Sequence, residues 1–350
     1  MPSWPDLPFA SAADHAACRA TLRTGSRSFH AASLLLPDRV RAPAVALYAF
    51  CRAADDAVDL GPENGLELMR ERLACAYAGR PRPFPVDRAF ADVVAEFALP
   101  RALPEALFEG FAWDAQGRRY DELADLRAYA ARVAGAVGAM MAVLMGVRDP
   151  ATVARACALG IAMQLTNVAR DIGEDSRAGR LYLPRRWLVE AGIDPEAWLA
   201  RPVHGPTLGA VVQRLLREAD GLYAKSLSGI AHLPASCRPA IHAARLLYAE
   251  IGREVERRGL DSVHGRATVP ARRKLRLLGQ AWASSLGRRP GREELALPEA
   301  GFLVEAVADA GRSALPSQPW WRVDARLLWI IDLFGRLERR QHLLRAVGPP

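Results

Sequence analysis

The sequence predicts an all-α protein, and three observations support that prediction. Nearly every segment has apolar residues at helical spacing, and no segment shows the sustained alternation with β-branched residues that a strand requires. Alanine and leucine dominate, and aromatic residues make up 7% of the chain, which favours helix over strand. Breakers rich in proline and glycine separate the periodic segments. With 350 residues, the chain can bury a large core, and we expect one domain of packed helices.

The predicted helices follow one another almost to residue 286, and their boundaries are good to about two to four residues. The breaker "LLLPDRVRAP" precedes the second helix, "GRPRPFP" separates the third from the fourth, and "LPRALP" separates the fourth from the fifth. The tripeptide "RDP" ends the sixth helix. In chain order the predicted helices cover 12–24, 41–59, 63–79, 86–98, 104–116, 122–146, 150–174, 184–192, 207–230, 236–258 and 271–286.

The sequence changes character at about Pro290. The stretches "RRPGREELALPEAG" and "RSALPSQPWW" are typical of connectors, and Val323–Arg345 has the spacing of one more amphipathic helix. We therefore predict a helical domain over 12–288 and a C-terminal extension over 289–350. The helix of the extension either packs on the domain or lies on a membrane surface, because arginine and tryptophan flank its apolar face.

The chain is basic, with 47 lysine and arginine residues against 39 acidic ones and a formal net charge of +8. Only two of the basic residues are lysines, Lys225 and Lys274. Codon composition in a GC-rich genome and bidentate guanidinium contacts to phosphate oxygens are two explanations that the sequence leaves open. No zinc finger, basic zipper or aromatic ribonucleoprotein motif is present, so we expect no nucleic-acid partner.

The cysteines and the apolar runs bear on the cellular compartment. The five cysteines are scattered and never form a CxxC pair, so neither a disulfide framework nor a zinc site is expected. The N-terminal residues lack a basic stretch followed by an apolar core, which argues against a signal peptide. The longest uncharged run, Val133–Val147, has 15 residues and is too short to span a bilayer. We therefore expect a cytoplasmic protein.

The stretch "YAFCRAADDAVD", Tyr48 to Asp59, places three aspartates and an arginine on an otherwise apolar helix. Asp55 and Asp59 are one turn apart, so their carboxylates share a face, where like charges repel each other. Tyr48 and Arg52 lie on the same stripe. The helix can tolerate this arrangement if cations neutralise the carboxylates.

A second stretch, "GIAMQLTNVARDIGED", has a polar stripe on a helix that is otherwise apolar. A solvated face explains such a stripe in most helices, but here alanine, methionine, leucine and isoleucine occupy the other faces. We therefore expect the stripe to be buried and to need cations or hydrogen-bond donors. Its members, at steps of three or four residues, are Gln164, Asn167, Asp171 and Asp175.

Two such helices facing each other would create a cavity with several carboxylates. Oxygen-rich sites of this kind suit Mg²⁺ or Mn²⁺, which keep some waters and share the phosphate oxygens of a substrate. Arg52, Arg170 and the segment Ser26–Ser28 would complete an anion site, and a diphosphate fits it best. A carboxylate pair for glycoside hydrolysis is the alternative, although it does not explain why the motif occurs twice.

These two stretches resemble the squalene and phytoene synthase family of head-to-head prenyl transferases. The stretches "TGSRSFHAASLLLP", "YAARVAGAVGAMMAVL" and "GRLYLP" match further family motifs in the right order, and the resemblance covers about residues 15–285. Within the family, "GSRSFHAASLLLP" and "EGFAWDAQGRRY" look typical of the phytoene synthases of purple photosynthetic bacteria. The resemblance implies an isoprenoid-synthase helical bundle with a central cavity lined by two aspartate-rich helices.

The resemblance also implies roles for individual residues. The implied metal ligands are Asp55, Asp56, Asp59, Asn167, Asp171 and Asp175. The implied substrate-binding residues are Ser26, Arg27, Ser28, Tyr48, Arg52, Tyr129, Gln164, Asn167, Arg170, Tyr182, Arg266 and Lys274. Ionisation assisted by metals and cations stabilised by aromatic faces would depend on the catalytic set Asp55, Asp59, Asp171, Asp175, Tyr48 and Tyr248.

Some of these residues have a second reading. Either Arg52 or Arg170 would instead orient the aspartates, and at least one tyrosine would be a satisfied core hydroxyl. Arg266 and Lys274 lie in a basic segment that would close over the diphosphate. The small residues of "VAGAVGAMM" would permit close helix packing and also line the tunnel for the prenyl chain.

The implied reaction condenses two geranylgeranyl diphosphates, through prephytoene diphosphate, to 15-cis-phytoene and diphosphate, the first committed step of carotenoid biosynthesis. It would use Mg²⁺ or Mn²⁺, roughly two or three ions per site, and no NADPH, and it leaves a requirement for ATP open. The alternatives are a farnesyl-using enzyme that makes squalene, dehydrosqualene or hydroxysqualene, and a non-catalytic family member. The small side chain of Ser33, one turn from Phe29, favours the longer chain. Expected partners besides the substrate are other carotenoid-pathway enzymes and, by peripheral contact, the inner face of the cytoplasmic membrane.

Overall fold

The computed structural model describes residues 9–59, 61, 64–285 and 296–314, and for Arg27, Asp59 and 312–314 it describes the backbone alone. Every regular element in these ranges is helical, as the sequence predicts. The α-helices are α1 (Ala12–Gly25), α2 (Arg27–Ser33), α3 (Asp38–Asp59), α4 (Gly65–Tyr77), α5 (Pro85–Phe97), α6 (Ala102–Ala115), α7 (Leu123–Ala130), α8 (Ala136–Leu144), α9 (Pro150–Arg177), α10 (Arg185–Glu190), α11 (Pro195–Ala200), α12 (Pro206–His232), α13 (Arg238–Arg257), α14 (Ala271–Ser285) and α15 (Gly301–Ala314).

The longest helix, α9, is the centre of the fold and packs against α8, α12 and α13. Its start is well defined, because the Asp149 side chain accepts a hydrogen bond from the Thr152 amide at 2.9 Å and Pro150 occupies the first turn. Its 28 residues span roughly 42 Å. A single continuous helix therefore contacts several of the other helices of the bundle.

The helix α3 carries the first aspartate stretch and packs against α1 and α5. Its apolar stripe is anchored by Phe50, whose ring stacks on Phe90 with the centroids 4.0 Å apart and lies 6.3 Å from the ring of Phe108. These three rings are almost completely buried. The packed aromatic side chains fix the face that α3 turns to the core, and hence the face on which its aspartates lie.

The predicted helix 122–146 is interrupted by a π-helical turn at Ala131–Gly135, which separates α7 from α8. Turns of this kind are frequent at functional sites. The helices α8 and α9 then cross closely at two glycines. A Cβ atom on Gly138 would lie 2.2 Å from the Ala156 carbonyl oxygen, and one on Gly160 would lie 2.2 Å from that of Ala134. The small residues of this motif thus permit close backbone packing.

The segment Leu123–Leu144 is the one helix of the described residues long and apolar enough to cross a membrane, with a mean hydropathy of 1.2. Most of it, 61%, is buried inside the protein. Ala136, Ala139 and Met140 have no exposed surface. The segment therefore has the burial of a core helix in a soluble bundle.

Three observed helices are absent from the sequence prediction. The helices α2 and α11 have seven and six residues, too few to show a clear period, and their ends are set by local caps at Ser26 and Asp194. Most of the helix α15 lies between the two stretches predicted as connectors, where no element was predicted. Its side chains on the core are the buried Leu303 and Val307 and the partly buried Val304 and Ala306.

The chain divides into a unit of residues 1–310 and a unit of residues 311–350, and the fold described above is that of the first. The amphipathic helix predicted over Val323–Arg345 lies outside the described residues. The proposed division into 12–288 and 289–350 stays a prediction.

Candidate active site

An apolar cavity of about 410 Å³ lies beside α9. Its walls come from α2, α3, α6, α8, α9, α12 and α13. A cavity of this volume, with walls of aliphatic and aromatic groups, suits a hydrocarbon ligand. The apolar side chains that line it include Phe29, Leu47, Leu107, Phe111, Val133, Val137, Met141, Met145, Leu159, Met163, Ile230, Leu233 and Ile241.

A second cavity, of about 320 Å³, has mostly polar walls. Its lining comprises Asp55, Val58, Phe111, Asp114, Tyr129, Gln164, Asn167, Val168, Asp171, Asp175, Arg180, Tyr182 and Arg266. The two cavities meet, because both are lined by Asp55, Phe111, Asp114, Tyr129, Gln164 and Asn167. The junction joins a polar compartment to an apolar one, which is the shape that an amphiphile with a charged head requires.

A single stripe of α9 lines both cavities. From Thr152 to Asp175 it extends about 35 Å along the helix axis. Its members, at steps mostly of three or four residues, are Thr152, Arg155, Ala156, Leu159, Gly160, Met163, Gln164, Asn167, Asp171 and Asp175. The polar stripe expected from the sequence is the half of this row that faces the polar cavity.

Two arginines hold the Asp171 carboxylate. Arg170 donates from Nε and Nη2 to its two oxygens at 2.6 and 2.5 Å, and Arg266 Nε lies 2.8 Å from Oδ1. Arg266 also lies 3.4 Å from Glu174 and lines the polar cavity. Arg170 lines neither cavity. In this structure Arg170 therefore contacts the aspartate rather than the space where a diphosphate would bind.

The aspartates of α3 have a similar arginine partner. Arg52 Nη1 lies 3.2 Å from Asp55 Oδ2, and Arg52 Nη2 lies 2.5 Å from Asp56 Oδ1. Asp55 lines both cavities and Arg52 lines the apolar one, whereas Asp56 lines neither. The backbone of Asp59 ends α3, and its side chain lies outside the description. Of the α3 aspartate side chains that the structure describes, Asp55 is the one at the junction.

The polar cavity contains more negative charge than its cations neutralise. Burial is the largest cause that raises the pKa of Asp175 to about 7, and the nearby carboxylate of Asp171 adds to it. Asp114 and Glu174 raise the pKa further, while Arg180 lowers it. A carboxylate with a pKa this high needs an additional cation before it ionises fully at neutral pH.

The residues of the polar cavity fit Mg²⁺ or Mn²⁺. Asn167 Oδ1 is buried and has no hydrogen-bond partner among the described residues, and it lies in the same cavity as Asp171 and Asp175. Carboxylate and amide oxygens are ligands that these ions prefer. Within the described ranges, no three histidine, cysteine, aspartate or glutamate side chains come close enough to hold an ion by themselves. An ion here would share its shell with waters and with phosphate oxygens of the substrate.

Of the predicted tyrosines, Tyr129 lies at the junction, and Tyr182 lines the polar cavity beside it. Tyr129 and Tyr182 stack with their centroids 5.2 Å apart, and both hydroxyls donate to Asp114, each at 2.7 Å. Burial is the largest cause that raises the pKa of both phenols. The negative charge of Asp114 acts in the same direction. Both tyrosines therefore stay neutral and fixed in orientation.

The other two predicted tyrosines, Tyr48 and Tyr248, line the apolar cavity. Phe29 of α2 stacks on Tyr48 with the ring centroids 5.4 Å apart. A Cβ atom on Gly25 would lie 2.4 Å from the Tyr48 hydroxyl, so the junction of α1 and α2 comes close to this ring. The motif that begins at Gly25 thus forms part of the cavity wall.

The remaining predicted residues lie away from the lining. Ser26 caps α2 by accepting a hydrogen bond from the Phe29 amide at 3.2 Å, and Ser28 lies within that helix. Lys274 lies on α14, which packs against α13. None of these three side chains lines either cavity, and the side chain of Arg27 is outside the description.

The sequence analysis missed Asp114 and Arg180, which both line the polar cavity. The signal for Asp114 was present, because Leu107, Phe111 and Asp114 follow one another at i, i+4 and i+7 and all line the cavities. Asp55 was identified by the second aspartate one turn away, whereas Asp114 is a lone acid on its stripe and gave a weaker signal. Arg180 lies in the quoted motif "GRLYLP" and had no distinguishing pattern of its own.

Comparison with known proteins agrees with this geometry. A model of the family described as squalene/phytoene synthase matches residues 22–273, more than half of the chain. The chain belongs to the squalene/phytoene synthase family. It is therefore an enzyme that transfers prenyl groups, and enzymes of this family use prenyl diphosphates and generally depend on a divalent metal.

Two curated relatives are highly similar over most of both chains. The phytoene synthase of Cereibacter sphaeroides is 55% identical over 319 residues, which cover 86% of this chain and 89% of that protein. The phytoene synthase of Rhodobacter capsulatus is 53% identical over 306 residues, which cover 85% and 90%. The resemblance to phytoene synthases of purple bacteria expected from the motifs is confirmed.

Solved structures confirm the fold class. A dehydrosqualene synthase in complex with a ligand superposes with a TM-score of 0.72 at 30% identity, covering 77% of this chain and 96% of that chain. The squalene synthase HpnC from Alicyclobacillus acidocaldarius superposes with a TM-score of 0.66 at 26% identity, covering 71% and 95%. The all-α isoprenoid-synthase bundle implied by the motifs is the observed architecture.

Proposed function

We propose that this enzyme is a phytoene synthase, which condenses two geranylgeranyl diphosphates head to head. The observation that supports it most is the 55% identity to a curated phytoene synthase over most of both chains. The solved dehydrosqualene and squalene synthases are less similar, at 30% and 26% identity. A relative from Pantoea ananas, 39% identical and named 15-cis-phytoene synthase, favours the 15-cis isomer.

The reaction has two ionisations. In the first, the allylic carbon–oxygen bond of one substrate breaks, diphosphate leaves with the electron pair, and the double bond of the second substrate attacks the cation. Loss of a proton closes the cyclopropane of prephytoene diphosphate. In the second, the remaining diphosphate leaves, the carbon skeleton rearranges, and loss of another proton gives phytoene. No reductant enters this balance.

The two cavities bind different parts of the substrate, the polar one its diphosphate head and the apolar one its hydrocarbon tail. The polar cavity offers Arg266 and Arg180 to diphosphate oxygens, and guanidinium groups bind such oxygens in bidentate fashion. The apolar cavity, lined by side chains such as Met141 and Leu159, takes the hydrocarbon chain and excludes water from it. The bond that breaks then lies at the junction, where the aspartates and tyrosines converge.

Asp55, Asn167, Asp171 and Asp175 are the residues that would hold the divalent metal. When bound, it would supply positive charge to the departing diphosphate and so stabilise the charge that develops on the leaving group. Arg170 and Arg266 keep the Asp171 carboxylate in place through bonds to both of its oxygens. Arg52 contacts one oxygen of Asp55, at 3.2 Å, and makes a shorter contact with Asp56.

The tyrosines face the side where positive charge develops on carbon. The ring of Tyr129 lies at the junction with that of Tyr182 beside it, and Tyr48 and Tyr248 lie in the apolar cavity. Aromatic faces attract cations most strongly where water is excluded. These rings line the space next to the reacting carbons and so stabilise an allylic cation. Where they exclude water, the cation is not captured as an alcohol.

The competing activity is condensation of the shorter farnesyl diphosphate. The argument from Ser33 does not discriminate, because this side chain is buried, donates to the His30 carbonyl oxygen at 2.8 Å and lies outside the cavity lining. The α9 stripe that lines this cavity instead continues to the buried Arg155 and Thr152, with Met145 and Leu233 also lining the cavity. Residues of this group are the ones that would limit chain length.

Product analysis tests the proposal. We expect purified enzyme given geranylgeranyl diphosphate and Mg²⁺ to release phytoene, and farnesyl diphosphate to give at most minor products. A preference for farnesyl diphosphate would favour the alternative, and the absence of products from both would favour a non-catalytic member. EDTA should abolish turnover and added Mg²⁺ or Mn²⁺ should restore it, whereas full activity in EDTA would contradict the metal site.

We also propose a cytoplasmic location with peripheral contact to an anionic membrane, because substrate and product carry long hydrocarbon chains. The helix α14 exposes Leu275 and Trp282, two turns apart on one face and 70% and 58% exposed. Arg272 and Arg276 are exposed beside them. An apolar row flanked by arginines is typical of a helix that lies on lipid, and each basic residue near such a surface contributes about 1 kcal/mol.

Flotation of the full chain with anionic liposomes at low and high salt tests this location. We expect a Leu275→Ser/Trp282→Ser variant to float less than wild type, while Leu68→Ser, which changes an exposed leucine on α4, floats normally. Equal flotation of all three would contradict a role for α14. If truncation after residue 322 alone abolishes flotation, the contact belongs to the C-terminal segment instead.

A further inference from the structure

We propose that Asp114 is a positioning residue that fixes the hydroxyl protons of Tyr129 and Tyr182 at the junction of the two cavities. This inference rests on the proposed function, because it gives the three residues a part in the ionisation of a prenyl diphosphate. The residue was not expected from the sequence, and its two hydrogen bonds in the structure are specific enough to argue the role.

Asp114 reaches the junction from α6, where it follows Leu107 and Phe111 on the stripe that lines the cavities. Its Oδ2 accepts from the Tyr129 hydroxyl and its Oδ1 from the Tyr182 hydroxyl, each at 2.7 Å. The tyrosines come from different parts of the chain, one from the end of α7 and the other from the segment after α9. One carboxylate thus joins three separate elements at the site.

The rings of the two tyrosines are held by packing and not by this carboxylate alone. They stack on each other, and Tyr120, which has no exposed surface, packs against both at centroid distances of 5.3 and 6.1 Å. Tyr129 and Tyr182 are themselves almost fully buried. With the rings fixed, the rotation of each hydroxyl is the remaining freedom, and this is what the Asp114 oxygens restrict.

A phenol has one proton to donate and lone pairs to accept with. Because both protons are donated to Asp114, neither tyrosine can donate a hydrogen bond to the departing diphosphate or protonate a reactive carbon. Toward the cavity they present only lone pairs and the negative faces of their rings. Such a surface stabilises positive charge on carbon, and the negative charge of Asp114 strengthens it.

Asparagine at position 114 would disturb this arrangement with little change in shape. Its amide oxygen accepts one tyrosine proton, but its NH₂ group must donate to the other hydroxyl, whose proton then turns away from position 114. One of the two tyrosines would become a donor toward the cavity, and the negative charge would be lost. Ionisation should suffer while binding of the substrate is preserved.

The test measures two quantities on the full chain with Mg²⁺. One is the single-turnover rate of diphosphate release from the prenyl diphosphate that wild type converts, and the other is the Kd of a thiodiphosphate analogue that does not ionise. We expect Asp114→Asn to lower the rate about 10- to 100-fold and to leave the Kd within about twofold. The control Asp121→Asn changes an exposed carboxylate and should match wild type in both.

A double variant separates positioning from a purely structural role. Tyr129→Phe/Tyr182→Phe should lower the rate by a similar factor, and adding Asp114→Asn to it should have a smaller effect than in wild type, because the hydroxyls it acts through are gone and only its charge is lost. An equal loss in both backgrounds, or a wild-type rate for Asp114→Asn, would overturn the proposal. If Asp114→Asn fails to fold, a wild-type rate for the double phenylalanine variant overturns it instead.

The outcome is independent of which prenyl chain the enzyme uses. If wild type makes squalene-type products from farnesyl diphosphate, the proposed function fails, and the same rates measured with farnesyl diphosphate still test Asp114. If wild type ionises neither substrate, both proposals are contradicted. A phytoene-forming wild type with an unaffected Asp114→Asn variant would contradict the positioning role alone.

Discussion

The two halves of the cavity-lining stripe on α9 belong to one helix but are built on opposite principles. In the C-terminal half, Asp171 and Asp175 are two carboxylates one turn apart. Burial, together with the charge of Asp171, raises the pKa of Asp175 to about 7. In the N-terminal half, Gly160 lies so close to the Ala134 carbonyl that no side chain fits. The first half is unfavourable without a ligand, while the second is stable by packing alone.

The difference shows how stability and function are distributed along α9. Groups that bind an ionic ligand must be left incompletely neutralised in its absence, which lowers the stability of the free protein. Binding a hydrocarbon chain requires a space of the right shape that excludes water, and closely packed helices provide such a space. Substitutions in the two halves should therefore have different and separable effects.

The largest expected effect is on turnover in the polar half. Asp171→Ala or Asp55→Ala should lower kcat by about three orders of magnitude, because the departing diphosphate loses countercharge. Thermal unfolding should show that both variants fold, with Asp171→Ala the less stable of the two because it removes the partner of the largely buried Arg170. The exposed Glu174 of the same helix is the matched control, and Glu174→Ala should lose less than about tenfold. Wild-type rates for either aspartate variant would contradict the site.

In the apolar half the expected effect is on stability. Gly160→Ala places a Cβ atom against the Ala134 carbonyl oxygen, so α9 and the π-helical turn that precedes α8 must move apart at a cost of about 1–3 kcal/mol. Gly221→Ala on α12 is the control, because its Cβ would meet nothing within 4 Å and alanine is the better helix former. Chemical denaturation should show a lower free energy of unfolding for Gly160→Ala and a higher one for Gly221→Ala than for wild type. Equal stability of Gly160→Ala and wild type would contradict the close crossing.

The smallest expected effect is a gain in stability, from a substitution at Asp175. Because the pKa of Asp175 is raised in the folded protein, this group contributes stability below about pH 4, and the contribution is lost as the pH rises through about 7. In EDTA, Asp175→Asn should therefore be more stable than wild type at pH 8 by about 1–2 kcal/mol and should not differ at pH 4. Melting curves at both pH values test it, and a less stable variant at pH 8 would contradict the charge excess. The same variant should lose activity.

The sequence predicted the features that have a period. The helices, the two acidic stripes and the small residues of "VAGAVGAMM" each repeat at helical spacing. Such a repeat arises because one face of the helix packs on the protein along its whole length. The α15 helix was missed because its apolar residues are few and lie between two stretches that are typical of connectors. The chain-length argument from Ser33 was also weak, because spacing alone did not show which way that side chain points.

Contacts between distant elements were the part that the sequence did not predict. Asp114 meets Tyr129 and Tyr182 only after α6, α7 and the segment following α9 come together. Arg266 reaches Asp171 from 95 positions away. The motifs identify most of these residues one by one, but which of them contact one another depends on tertiary packing that one sequence does not encode locally.

The most direct test of the account is to locate metal and substrate together. Crystals of the full chain grown with Mn²⁺ and geranylgeranyl thiodiphosphate would reveal the ions by anomalous scattering. We expect Mn²⁺ between Asp55 on one side and Asn167, Asp171 and Asp175 on the other, with the prenyl chain running along the α9 stripe toward Thr152. Ions bound elsewhere, or a prenyl chain outside the apolar cavity, would contradict the division of the site into a polar head compartment and an apolar tail compartment.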